Sequence, residues 1–134
     1  MTRSVLLVDD EPNIALSLEY RLKREGYDVR VAGDGEEALE RIAERRPDLV
    51  LLDVMMPRRD GYDVCQTLRR DPAMSEVKIV ILTAKGGAIE GEKALALGAD
   101  AFFPKPFGLG ELLARVRQLL GEDTVREGEG ADAR

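Results

Sequence analysis

The sequence contains no histidine at all and only one cysteine, Cys65. Without histidine the chain cannot offer an imidazole to a metal, to a catalytic triad, or as a phosphorylated residue of its own. A lone thiol cannot close an internal disulfide. Cys65 also lies in an apolar helical pattern, where a buried and inert thiol is the ordinary outcome. No apolar run approaches the roughly 18 residues of a membrane-crossing helix, and no secretory signal pattern opens the chain. The expected compartment is therefore the cytoplasm, with no membrane partner. Basic charge is not in excess either: 20 Lys and Arg face 26 Asp and Glu, a net charge of −6. That balance argues against direct nucleic-acid binding and against an anionic membrane surface. It suits a soluble chain that meets other proteins or a cation.

Present instead are 134 residues, the length of one ordinary domain, with 44% hydrophobic content, sufficient for a sizeable core. Ser4 to Val8 (SVLLV) reads as a first buried strand, ending on Asp9, Asp10 and Glu11 before Pro12. A first helix is expected over about Asn13 to Arg24, with Ile14, Leu18 and Leu22 on its inner stripe and Gly26 as a left-handed terminator. Asp28 to Ala32 makes a second strand. Asp34 with Glu37 forms a capping-box pattern for a second helix to about Glu44, with Ala38, Leu39 and Ile42 inward. Leu49 to Asp53 is a third strand, apolar on both faces until it stops on a carboxylate.

Asp60 can cap a third helix, about Gly61 to Arg70, with Val64, Cys65 and Leu68 inward, and Asp71-Pro72 ends it. Val77 to Leu82 is a fourth strand followed by Thr83. A loop with Gly86-Gly87 leads to a fourth helix, about Ile89 to Leu97, ended by Gly98. Gly91 inside that helix costs about 1 kcal/mol relative to alanine, so it is expected to be the least stable helix. Ala101 to Pro104 is a fifth strand, and its proline belongs at a sheet edge. A fifth helix covers about Leu109 to Leu120. Residues 122–134 are glycine-rich and charged and are expected to form a disordered tail beyond a domain of residues 1–121.

Strict alternation of five strands and five helices predicts an α/β fold, a doubly wound five-stranded parallel sheet. A flavodoxin-like order 2-1-3-4-5 would place the fifth strand at an edge, as Pro104 requires. In that order Asp9-Asp10, Asp53, Thr83 and Lys105 all follow strand ends on one edge, where open sheets bind ligands. Each alone has an everyday role: a turn acid, a helix-capping acid, a solvated lysine. Crowded carboxylates repel each other unless a cation joins them. Hard oxygen donors suit Mg²⁺, and a central carboxylate can act as a nucleophile toward phosphorus.

Val8-Asp9-Asp10-Glu11-Pro12, Leu52-Asp53-Val54-Met55-Met56-Pro57 with Asp60-Gly61, Thr83-Ala84 and Lys105-Pro106-Phe107 occur in order at defined spacings. Together they resemble the receiver domain of bacterial two-component response regulators over about residues 3–120. The resemblance implies that Asp53 accepts a phosphoryl group from a sensor histidine kinase or phosphotransfer protein. It implies Mg²⁺ held by Asp10, Asp53 and the Met55 backbone carbonyl, with Asp9 helping directly or through water. Thr83 would bond the phosphoryl group, and Lys105 would pair with Asp53 before transfer and with the phosphoryl group afterwards. Phe102 matches the switch aromatic, where tyrosine is frequent. Met55 and Lys85 match positions that tune dephosphorylation, and Lys105-Pro106 would be cis. Output would be a downstream protein bound through the face of helix 4, strand 5 and helix 5, with a homodimer of phosphorylated chains as a further possibility. The implied activity is self-catalysed transfer and autodephosphorylation, not an enzyme acting on other substrates.

Two other classes compete. A Mg²⁺-dependent phosphohydrolase using an aspartyl phosphate would place an acid two residues after the nucleophile, where this chain has Met55. A constitutive scaffold would have lost part of the site, yet every acidic, hydroxyl and lysine group is in place. A nucleotide or flavin binder lacks the glycine-rich loop after the first strand.

Overall fold

The computed structural model describes residues 2–54, 56, 60–84 and 88–121. Its elements run β1 (Ser4–Val8), α1 (Pro12–Arg24), β2 (Asp28–Ala32), α2 (Gly35–Glu44), β3 (Leu49–Asp53), α3 (Gly61–Arg70), β4 (Lys78–Thr83), α4 (Ala88–Ala96), β5 (Ala101–Pro104) and α5 (Leu109–Leu119). The strands are all parallel in the order β2-β1-β3-β4-β5. This is the flavodoxin-like doubly wound sheet expected from the alternation.

The unbroken apolar runs of β1 and β3 are buried along their whole length because both faces of the sheet are covered. Side chains alternate between two cores. Val5, Leu7, Leu49, Leu51, Val80 and Leu82 pack against α1 and α5. Leu6, Val8, Val50, Leu52, Ile79 and Ile81 pack against α2, α3 and α4. Cys65 is fully buried in the second core, and burial pushes its thiol up to about 11.

Element boundaries follow local chemistry. Pro12 starts α1 one residue earlier than expected, since its fixed φ and missing N–H suit the first helical position. On the inner side of α1 Ala15 is buried beside Leu18 and Leu22, while Ile14 is only partly covered. Gly26 and Gly98 end α1 and α4 with φ of +96° and +107°. The Asp34 carboxylate accepts from the Glu37 N–H, as in a capping box, but Glu37 reaches past it to the Gly33 N–H at 2.8 Å. Asp60 caps α3 by accepting from the Asp63 N–H at 2.9 Å. After α3, Asp71 caps a short 3₁₀ turn, Pro72–Met74, that hydrophobic periodicity does not reveal. β4 lies one residue further along than expected, which brings Thr83 into the strand.

At the outer edge of β5 the Lys105 N–H donates inward to the Thr83 carbonyl at 2.6 Å. Backbone groups alternate along a strand, so Pro104 lacks its N–H on the outward side, where no ladder bond is lost. The expected tail and the Gly86-Gly87 loop lie outside the described residues.

Candidate functional site

The register of the sheet assembles the site. Val8 pairs with Leu52, so Asp9 emerges level with Asp53. Asp53 pairs with Leu82 and Thr83 with Pro104, so Thr83 and Lys105 follow on the next two strands. Four separated stretches thus converge at the carboxyl edge of the sheet.

Asp9, Asp10 and Asp53 each present a carboxylate oxygen within 4.8 Å of the others. Asp9 and Asp53 are buried, with side chains 0% and 4% exposed, while Asp10 opens to solvent. The Lys105 ammonium lies 3.4 Å from Oδ2 of Asp9 and 3.4 Å from Oδ2 of Asp53. One cation is therefore shared between two buried anions, with a third anion beside them. The Asp9 carboxylate is oriented by the Glu11 N–H, which donates to Oδ1 at 2.9 Å and leaves Oδ2 for Lys105.

Buried like charges are costly without compensation. A divalent ion fits the donor set: all three groups are hard oxygens. Octahedral Mg²⁺ with ligands at 2.0–2.1 Å sets its oxygens roughly 2.9 to 4.2 Å apart, compatible with carboxylate oxygens that lie within 4.8 Å of one another. The Met55 carbonyl, expected as a further ligand, lies outside the described residues, as does Lys85.

Thr83 is fully buried at the end of β4. The Lys105–Pro106 peptide is cis. Phe102 is placed differently from the rest: it sits in mid-β5 opposite Ile81, with its ring toward α4. A methyl group added to Gly91 would come within 3.4 Å of that ring. The glycine that weakens α4 thus lies against the Phe102 ring.

Two contributors escape sequence reasoning. Gly61 has no unusual backbone angle, yet a Cβ there would lie 2.4 Å from the Asp53 carbonyl oxygen and 2.9 Å from Val54 Cα. With its N–H donating to the Val54 carbonyl at 3.1 Å, it lets α3 start flush against the end of β3. The Asp60-Gly61 pair signals a turn, but nothing in it reports this close approach. The other is Glu11, which acts through its backbone N–H. Beside Lys105 an apolar groove of about 590 Å³ opens between α1 and the segment before α5, lined by Ile14, Leu18, Pro106, Phe107 and Leu109 among others.

Residues 5–117 match the family model for the response regulator receiver domain. The fold is similar to that of a Chloroflexus aurantiacus protein described as a putative response regulator, at 37% identity and a TM-score of 0.85, over 90% of this chain and 99% of that one. It is similar to the BeF3-activated N-terminal receiver domain of RstA from Klebsiella pneumoniae, at 34% identity and a TM-score of 0.82, over 88% and 98%. The chemotaxis response regulator CheY4 of Vibrio cholerae is 29% identical with a TM-score of 0.83, over 89% and 99%.

Proposed function

The chain belongs to the response regulator receiver domain family, and from that premise we propose that it is a switch set by reversible phosphorylation of Asp53. The observation that carries this reading is the shared cation: one Lys105 ammonium between buried Asp9 and Asp53, with Asp10 alongside.

A phosphohistidine of a sensor kinase or phosphotransfer protein is the donor. An Asp53 carboxylate oxygen attacks phosphorus, the bond from phosphorus to the imidazole nitrogen breaks, and the imidazole keeps that electron pair. Phosphoryl transfer needs positioning and charge stabilisation more than covalent help. Asp53 is held for it by the end of β3 and by α3 packed on its carbonyl. Lys105, already 3.4 Å from Asp53, follows the negative charge onto the phosphoryl oxygens. The Thr83 hydroxyl donates to another of those oxygens. Asp10, Asp53 and the Met55 carbonyl, with Asp9 direct or through water, would hold Mg²⁺, which would supply the positive charge that makes the crowded acids and incoming phosphate compatible. The apolar groove next to Lys105 offers the donor protein a place to dock.

Phosphorylation adds charge and acceptor oxygens at one point. Drawing Thr83 toward them biases β4, Phe102 and α4, so the face of α4, β5 and α5 changes its affinity for a downstream protein or a second chain. Water then attacks phosphorus, the bond from phosphorus to the Asp53 oxygen breaks, and inorganic phosphate leaves the carboxylate free, catalysed by the chain's own groups. Among the described residues no helix is long and apolar enough to cross a membrane, and the cytoplasm is the compartment that supplies the donor. The test is labelling with radioactive acetyl phosphate and Mg²⁺: wild type takes up label, and Asp53→Asn takes up none. Undiminished label on Asp53→Asn would overturn the assignment.

A further inference from the structure

The two ends of α4 are held by unlike means. At its rear, Arg69 of α3 donates to the Gly98 carbonyl at 2.8 Å and to Asp100 Oδ2 at 2.9 Å. The same Asp100 oxygen accepts from the Ile79 N–H at 2.8 Å, tying the clamp to β4. A Cβ on Gly98 would strike the Arg69 stem at 2.5 Å, so the two lie flat against each other. Ala94 and Ala99 are buried there as well.

The front of α4 has no comparable burial among its described side chains. Ile89 is 79% exposed, Glu92 and Lys93 are exposed, and Gly91 offers Phe102 no side chain to interlock with. Among the described residues, one side chain of α3 reaches across to hold it. The Tyr62 hydroxyl donates to Glu90 Oε1 at 2.6 Å, and the Lys93 ammonium sits 4.4 Å from the centre of the same ring. Burial, aided by Glu90, pushes the hydroxyl's pKa up, so it remains a donor. Tyr62 directly follows Gly61, whose backbone abuts the Asp53 carbonyl. The same ring therefore joins the phosphoacceptor end of β3 to the loosely packed end of α4.

We propose that Tyr62 is a releasable latch: its bond to Glu90 holds the front of α4 against α3 while the Arg69 clamp serves as the pivot, and so sets how readily the chain adopts its phosphorylated arrangement. The second half of that statement rests on the function proposed above. Losing the bond favours the arrangement in which the front of α4 has moved. The ligand that needs this arrangement then binds with higher apparent affinity, because less of its binding energy goes into shifting the population.

Tyr62→Phe keeps the ring and removes the donor; Glu90→Ala removes the acceptor from the other side. Hydrogen exchange on the full chain at the Glu92 and Lys93 amides, which close the first turn of α4, should accelerate about fivefold in either variant, a modest share of what a hydrogen bond to a charged group can contribute. The Leu97 and Gly98 amides should not change. Titration with beryllofluoride and Mg²⁺, followed by NMR shifts, should reach half-saturation at about one fifth of the wild-type concentration. Unchanged exchange at Glu92 and Lys93, equal acceleration along all of α4, or unchanged or weaker beryllofluoride affinity would each overturn the latch. A wild-type chain that ignores beryllofluoride would instead overturn the phosphorylation reading, with the exchange experiment still deciding whether Tyr62 holds α4.

Discussion

At the amino edge of the sheet Asp28, Asp48 and Asp100 each have a partner of their own. Asp48 accepts from the Ser4 N–H at 2.7 Å, Asp28 takes Arg45 at 2.6 Å, and Asp100 takes both Arg69 and the Ile79 N–H. At the carboxyl edge Asp9, Asp10 and Asp53 crowd together, and Lys105 lies a long 3.4 Å from both Asp9 and Asp53. Aspartates supply the acids at both edges, and the scaffold is the same. Satisfied polar groups hold a fold together, whereas an unbalanced buried cluster is kept because something else completes it. By this criterion the amino edge is framework and the carboxyl edge is the candidate binding site.

That contrast can be broken by measurement. Mg²⁺ at one hundred times its dissociation constant should stabilise the wild-type chain by about 2.7 kcal/mol in chemical denaturation, because the ion binds only the folded cluster. An equal gain in Asp53→Asn would remove the contrast. At the other edge, Asp100→Ala should cost about 2 kcal/mol, as it strands the Ile79 N–H and the Arg69 guanidinium, with the gain from Mg²⁺ intact. Asp53→Asn measured in chelator should do the opposite and raise stability by about 1 kcal/mol, since it removes one of the crowded charges. Destabilisation of similar size would mean that Lys105 already balances the cluster.

Much of this was legible before any coordinates. The apolar runs of β1 and β3, the capping acids Asp34 and Asp60, and the terminating Gly26 and Gly98 are local signals that tertiary packing does not override. The convergence of Asp9, Asp53, Thr83 and Lys105 was legible too, once a strand order was assumed. What could not be read are relations between distant residues with no compositional mark. Glu37 passes over Asp34 to Gly33, and Tyr62 finds Glu90 28 positions away. Arg69, which looks like a solvated charge at the end of a helix, spans α3, the 3₁₀ turn and the strand entry. Gly61 is likewise recognisable as a turn residue and not as the seat of the Asp53 carbonyl.

The proline that closes β5 has a consequence for how the protein behaves in a crowded solution. An open sheet invites a neighbour's extended segment to add on at its rim. Here the rim ends on a residue with no hydrogen to offer outward, at the strand only four residues long. At this rim a second copy therefore finds one bond fewer to zip onto, and the blunting belongs to β5 alone, since β2 forms the other edge of the sheet.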